Sequence, residues 1–241
     1  MIENPWKDGP GEDGLWISRS DRARINRINV RLPSDDGRRL NYLTSSGKPL
    51  VPGAWSGDPW SAPIVLLLLN PAVSPFSEKL YADLNALRLV EAMTLNSPGR
   101  DYPNAWLHPA VRQHEPWCSK VVCGALHRYM TEEQGLEVEE AWRLLARKIA
   151  ILELSAWTSH KWSHHAFVET SRVSVELAKQ AMEDSSRIVL LGRGEADWKS
   201  AGLVDVDLLP LSRGVRSNQS RITPKNFPTV WEKITNELKR P

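Results

Sequence analysis

Ile64 to Leu69 is an unbroken run of large aliphatic residues, "IVLLLL", fenced by Pro63 before it and by Asn70-Pro71 after it. The two prolines leave too little length for an ordinary helix, whereas a strand needs only about five or six residues. A run with no polar alternation has no solvent face, so it predicts a strand buried on both sides, as in a parallel sheet covered by helices. Three later segments repeat the pattern: "IAILELSAW" (149–157), "RIVLLG" (187–192) and "DVDLLPLS" (205–212).

Between these runs the apolar spacing turns helical. "FSEKLYADLNALRLVEAMTLN" places Leu80, Leu84, Leu87 and Val90 on one face, and "EVEEAWRLLARKIA" does the same with Val138, Trp142 and Leu145. "WCSKVVCGALHRYM", "VSVELAKQAMED" and the final "FPTVWEKITNELKR" also read as helices. Short buried strands alternating with helices predict an α/β protein, a three-layer α/β/α arrangement with a short central parallel sheet over 61–241. Residues 1–60, rich in Gly, Pro, Asp and Arg, are expected as an irregular arm or small subdomain, with "INVRLP" (28–33) and "RLNYLTS" (39–45) as a short hairpin.

A chain of 241 residues is enough for one sizeable core. The formal net charge of +2 does not announce a nucleic-acid binder, although Lys and Arg gather at 19–31 and 213–225; clusters of that size are commonly solvated surface. Two cysteines cannot make a disulfide scaffold. The polar start lacks an apolar signal core, and no run approaches the ~20 apolar residues of a membrane span. A cytoplasmic protein without membrane contact is expected. Eleven tryptophans against four tyrosines and three phenylalanines offer stacking faces for bases or sugars, though many must fill the core.

In open α/β sheets ligands bind beyond the carboxyl ends of the strands. Those ends carry Asn70-Pro71-Ala72-Val73-Ser74, then Glu153 with Ser155-Ala156-Trp157, then Gly192-Arg193-Gly194, then Ser212-Arg213-Gly214. A strand buried on both faces holds its terminal side chain rigidly, which suits Asn70 to a task needing position. An Asn before Pro also serves simply as a turn former.

Taken together, "LLLLNPAVSP", "LELSAW", "IVLLGRGEADW" and "LPLSRGVRSNQSRITPKNF" resemble, in order and spacing over about 60–240, the strand ends of the uracil-DNA glycosylase superfamily, in particular its mismatch-specific branch whose first motif ends in Asn-Pro. The resemblance implies that Asn70 orients the water attacking the sugar carbon, and that Pro71, Ala72, Ser74, Phe76, Trp157 and Ser212 line the base pocket; Phe76 reads equally well as core or pocket wall. It implies a DNA interface of Arg193, Arg213, Val215, Arg216, Ser217, Asn218, Arg221 and Lys225, with Val215 or Arg216 as the wedge that everts a base. The His-Pro-Ser element usual in the family is absent; Leu209-Pro210-Leu211-Ser212-Arg213 stands there.

Glu153 falls where uracil-specific relatives carry Asn. An ionised carboxylate only accepts hydrogen bonds, and cytosine, unlike uracil, presents an amino donor on its pairing edge. The second catalytic candidate is therefore Glu153, set to read a cytosine-type base, and the chain is similar to phage-defence glycosylases acting on modified cytosine. A structural ion pair is the plainer role for such a Glu. The resemblance further implies a monomer acting without cofactor or metal on double-stranded DNA.

Other signals carry less. His114, Cys118, Cys123 and His127 are the right kinds of ligand for zinc, but five residues along a predicted helix should turn the two thiols apart, and no metal site is expected. His160, His164 and His165 follow the second strand, where a solvated cluster or a phosphate contact both fit. "GRGEADW" lacks the Lys-Ser/Thr of a P-loop, and no Gly-x-Ser-x-Gly elbow is present. Two other classes stay open: a non-catalytic nucleic-acid-binding module, and a nucleoside or nucleotide N-glycosidase, which would not need the basic loop.

Overall fold

The computed structural model describes residues 2–71, 77–96, 99, 101–203 and 220–240. The run at 64–69 forms β2 (Ile64–Leu68), which lies between β3 (Ile149–Glu153) and β4 (Ile188–Leu191), parallel to both. A two-residue strand, β1 (Trp55–Ser56), pairs antiparallel with β3 and makes the sheet mixed, in the order β1-β3-β2-β4. Gly57 ends β1 with φ +82, where a Cβ would stand 2.5 Å from the Ile149 carbonyl oxygen, so the turn admits glycine alone. The expected strand at 205–212 lies outside the described residues.

Every residue of β2, β3 and β4 is buried, and alternation divides them between two cores. Ile64, Leu66, Leu68, Ile149, Ile151, Ile188 and Leu190 pack with α6 (Val138–Lys148), α9 (Trp231–Lys239) and the 117–130 segment. Val65, Leu67, Leu152, Val189 and Leu191 pack on the other face with α1 (Arg19–Val30), α7 (Ser171–Glu183) and Trp198 of α8 (Glu195–Ser200). Each fully buried aliphatic side chain contributes roughly 1.5–3 kcal/mol, so these two layers dominate the stability of the fold.

α6 shows how sequence sets local structure. Glu139 and Glu140 sit in its first turn and Arg147 and Lys148 in its last, complementing the helix dipole. Ala141, Trp142, Leu145 and Ala146 make its buried stripe, whereas Val138, expected on that stripe, is 53% exposed. The helix passes directly into β3 at Ile149, whose backbone is already extended.

The helix expected over 76–96 is two helices, α2 (Ser77–Ala82) and α3 (Leu84–Thr94). Asp83 breaks them because its carboxylate accepts hydrogen bonds from the backbone N–H of Asn85 and Ala86, an N-cap that needs extended backbone. Leu84 is left outside the buried face. Two short helices follow, α4 (Pro109–Arg112) and α5 (Gly124–Arg128).

The expected hairpin at 28–45 is overturned. Residues 28–30 are the end of α1, which Ser18 caps by accepting from Asp21 N–H and which buries Asp21 and Ile25. Only isolated bridges remain nearby, Asn41 with Thr158 and Leu43 with Pro49. Trp6, Trp16, Ile25, Leu40 and Trp55 from the first sixty residues belong to the same core as Leu152, Leu177 and Trp198.

Candidate functional site

The chain leaving β2 returns to β3 through α6 on one face of the sheet, and the chain leaving β3 returns to β4 through α7 on the other. β2 and β3 are neighbours whose connections depart to opposite faces, which places the topological switch point at their carboxyl ends. Those ends carry Asn70 and Glu153. Leu68 is the register partner of Glu153, and Asn70 lies two residues further on.

Beyond the strands the pairing continues. Leu154 N–H donates to Leu68 O at 3.1 Å and Ser155 N–H to Leu69 O at 2.8 Å, so residues 154–159 run beside 68–71. Trp198 Nε1 donates to Leu68 O at 3.0 Å and fixes the end of β2 from the other side. Gly194, at φ +72, opens α8 so close to Leu69 that a Cβ would meet Leu69 Cδ2 at 2.0 Å. β2 is thus held rigid up to its last residue.

Asn70 is half-buried and its Nδ2 donates to Ser159 Oγ at 2.9 Å and Pro71 O at 3.0 Å, with Ser159 O at 3.4 Å. Ser159 Oγ gives its own proton to Lys161 O at 2.8 Å, so all three partners act as acceptors and the amide has only one sensible orientation. Among the described residues none donates to Asn70 Oδ1. Among the described residues the Asn70 amide therefore offers a fixed acceptor, of the kind that can hold a water or an N–H, and is itself no base.

Glu153 is 6% exposed, and its buried Oε2 has no hydrogen-bond partner among the described residues. Burial pushes its carboxyl up to about 8, with the Arg193 charge pulling weakly the other way. This corrects the sequence-based expectation of an ionised Glu153: at neutral pH the group is held as the acid, with one donor and one acceptor. A neutral carboxyl matches the edge of cytosine and also that of uracil, so acceptor-only discrimination does not follow.

The structure redistributes the other expected site residues. Pro71 is at the mouth, packed so near Gly53 that a Cβ there would stand 2.5 Å from Pro71 Cγ. Arg193 is exposed just past β4, and Arg221 and Lys225 are exposed where the described chain resumes. Trp157 is a correction: it is 1% exposed in the core, with Nε1 donating to Asp21 Oδ2 at 3.1 Å, and presents no face to a ligand. Ala72, Ser74, Phe76, Ser212, Arg213, Val215, Arg216, Ser217 and Asn218 lie outside the described residues.

Ser159 was missed as a site residue, because its hydrogen bond to Asn70 spans 89 positions and leaves no local signal. His160 is exposed beside it, while Nδ1 of His164 contacts the Asp197 carboxylate, tying this loop to α8. The two cysteines reverse their expected relation. Residues 117–122 form a π-helical turn in which Cys123 N–H donates to Cys118 O at 2.9 Å, which carries i and i+5 onto one face. The Cys118 thiol is pushed well up by its hydrogen bond to Cys123 and by burial. His114 instead pairs with Asp83 at 2.8 Å and His127 stacks on Trp142, and no group of three or more candidate metal ligands stands together among the described residues.

No family model, curated protein or solved structure matches this chain. Among the described residues no helix is long and apolar enough to cross a membrane.

Proposed function

We propose that the protein is a monofunctional DNA glycosylase with the three-layer fold of the uracil-DNA glycosylase superfamily, and that it removes an everted, modified cytosine-type base in anti-phage defence, leaving an abasic site. One observation carries this reading. Neighbouring parallel strand ends bring a carboxamide with a fixed donor side, Asn70, beside a buried carboxyl with an unpartnered oxygen, Glu153.

In this reading Asn70 Oδ1 accepts a hydrogen bond from water and aims it at the sugar C1′. An amide is not a base, so its contribution is position. Glu153 pairs as the neutral acid with N3 and the exocyclic amino group of cytosine. It then passes its proton to N3, leaving a carboxylate against a protonated ring. As the C1′–N1 bond breaks, its electron pair enters the ring and cancels that charge, so the base departs neutral. Water adds to the oxocarbenium-like carbon and loses its proton to the Glu153 carboxylate, restoring the acid. Uracil already carries a proton at N3, and this transfer is what separates the two bases.

The test is an abasic-site assay on duplexes carrying cytosine, hydroxymethylcytosine, glucosylated hydroxymethylcytosine or uracil. Alkali-labile sites are expected at the modified cytosines. Asn70→Ala should lower turnover by about 100-fold or more while DNA affinity is kept. The rate should fall as pH rises through about 8, where Glu153 ionises and its proton is no longer available. Preference for uracil, or no abasic product on any duplex, overturns the assignment.

A further inference from the structure

A second surface, built from α1, points to a ligand of its own. A groove of about 440 Å³ runs along this helix, lined by Arg24, Arg27, Ile28, Arg31, Leu32 and Arg38. Arg24, Arg27 and Arg31 recur at three- and four-residue spacing, which stacks them in one stripe beside the buried face of Asp21 and Ile25. All three are exposed, and among the described residues none forms a salt bridge. Arg38, across the groove, is neutralised by Asp36.

The helix carrying this stripe is rigidly held. Ile25 is fully buried, and Arg39 Nη1 donates to Asn29 O at 2.8 Å and Leu32 O at 3.1 Å, closing the carboxyl end of α1. Asn29 and Leu40 exchange two further hydrogen bonds. Three unpaired cations on a fixed scaffold repel one another, and a solvated face would ordinarily intersperse acids among them.

A chain of contacts links the edge of the groove to the candidate site. Lys161 N–H donates to Gly37 O at 2.7 Å, and Gly37 packs against His160 and Lys161. Lys161 O in turn accepts from Ser159 Oγ, the group that fixes Asn70. Arg38, Gly37, Lys161, Ser159 and Asn70 therefore form a connected path from the arginine stripe to the strand ends.

We infer that the Arg24–Arg27–Arg31 stripe binds the phosphate backbone of DNA and, with Lys161, leads the strand to the Asn70 mouth. Arg24 to Arg31 rises roughly 10 Å along the helix, about three phosphates at roughly 3.4 Å per nucleotide of one strand. This inference extends beyond the glycosylase reading, since it requires only that the chain bind DNA. It also gives the basic cluster of the first sixty residues a role that composition did not assign.

The test uses the full chain and an unmodified 20-base-pair duplex, with affinity measured by fluorescence anisotropy over a salt series. The triple variant Arg24→Gln, Arg27→Gln, Arg31→Gln should bind at least about 10-fold more weakly at low salt. Its slope of log affinity against log salt should flatten by roughly three, one for each lost phosphate contact. The control Arg128→Gln, Arg143→Gln, Arg147→Gln removes the same charge from other exposed arginines and should leave both readings near wild type. Circular dichroism melts confirm that both variants fold. Equal weakening by the two triples, an unchanged stripe variant, or binding to phosphatidylserine vesicles but not to duplex overturns the inference. A stripe-dependent duplex affinity without abasic product would sink the glycosylase reading alone; abasic product with stripe-independent affinity would sink this one alone.

Discussion

Asp21 and Glu153 are both buried carboxyl groups, at 0% and 6% exposure, yet Asp21 is saturated with donors while an oxygen of Glu153 has none among the described residues. Asp21 accepts from Trp157 Nε1, the backbone N–H of Glu169 and Thr170, and Thr170 Oγ1. Those bonds tie α1 to Trp157 and to the start of α7, so the group is architectural. Glu153 stands at a switch point with an orphaned oxygen, and nothing in the described fold uses it. A buried polar group left unmatched costs about 1–3 kcal/mol, a cost that Glu153 carries at the mouth of the sheet and Asp21 does not.

The contrast breaks most easily at Asp21. Asp21→Ala strands four donors, three of them in buried hydrogen bonds, and should destabilise the protein by roughly 5 kcal/mol in denaturant titrations. A loss under about 1 kcal/mol would mean that the network is decorative, and the comparison would fail.

Glu153→Gln should act in the opposite sense, with a pH signature. The folded protein holds the Glu153 proton up to about 8, whereas an unfolded chain releases it near 4.5. The native state therefore binds more protons between those values, and stability is full below about 4.5, falls as pH rises, and levels above 8. The fall should be on the order of 5 kcal/mol at most. Glu153→Gln should flatten it and melt above wild type at pH 8; an identical profile in the variant would remove the case for a buried acid.

Two smaller effects sharpen the boundary between architecture and site. Trp157→Phe deletes one hydrogen bond to Asp21 and should cost about 1 kcal/mol of stability with the pH profile of Glu153 unmoved; a changed base preference would return Trp157 to the pocket. Arg193→Gln removes a positive charge that favours the Glu153 carboxylate. The titration midpoint should then move upward, read by the pH dependence of the stability difference from Glu153→Gln. An unmoved midpoint would place that guanidinium away from the carboxyl.

Legibility varied along the chain for physical reasons. The three parallel strands were readable because burial on both faces forces continuous apolar runs, and Asn70 and Glu153 followed as the residues at their ends. α1 was not readable as a helix, because its buried face consists of Asp21 and Ile25 rather than an apolar stripe. The break at Asp83 rests on one side-chain cap within a helical period. The facing thiols of Cys118 and Cys123 depend on π-helical winding, which a 3.6-residue period does not anticipate.

Periodicity and termination act within a few residues, so the sequence by itself determined which segments become buried strands and which side chains stand at their carboxyl ends. Tertiary structure alone decided what those side chains meet. Ser159 fixes the Asn70 amide from 89 positions away, Asp21 holds Trp157 in the core from 136 away, and burial keeps a proton on Glu153. Hydrogen-bond saturation and desolvation depend on everything packed around a group, and that surrounding exists only once distant parts of the chain have come together.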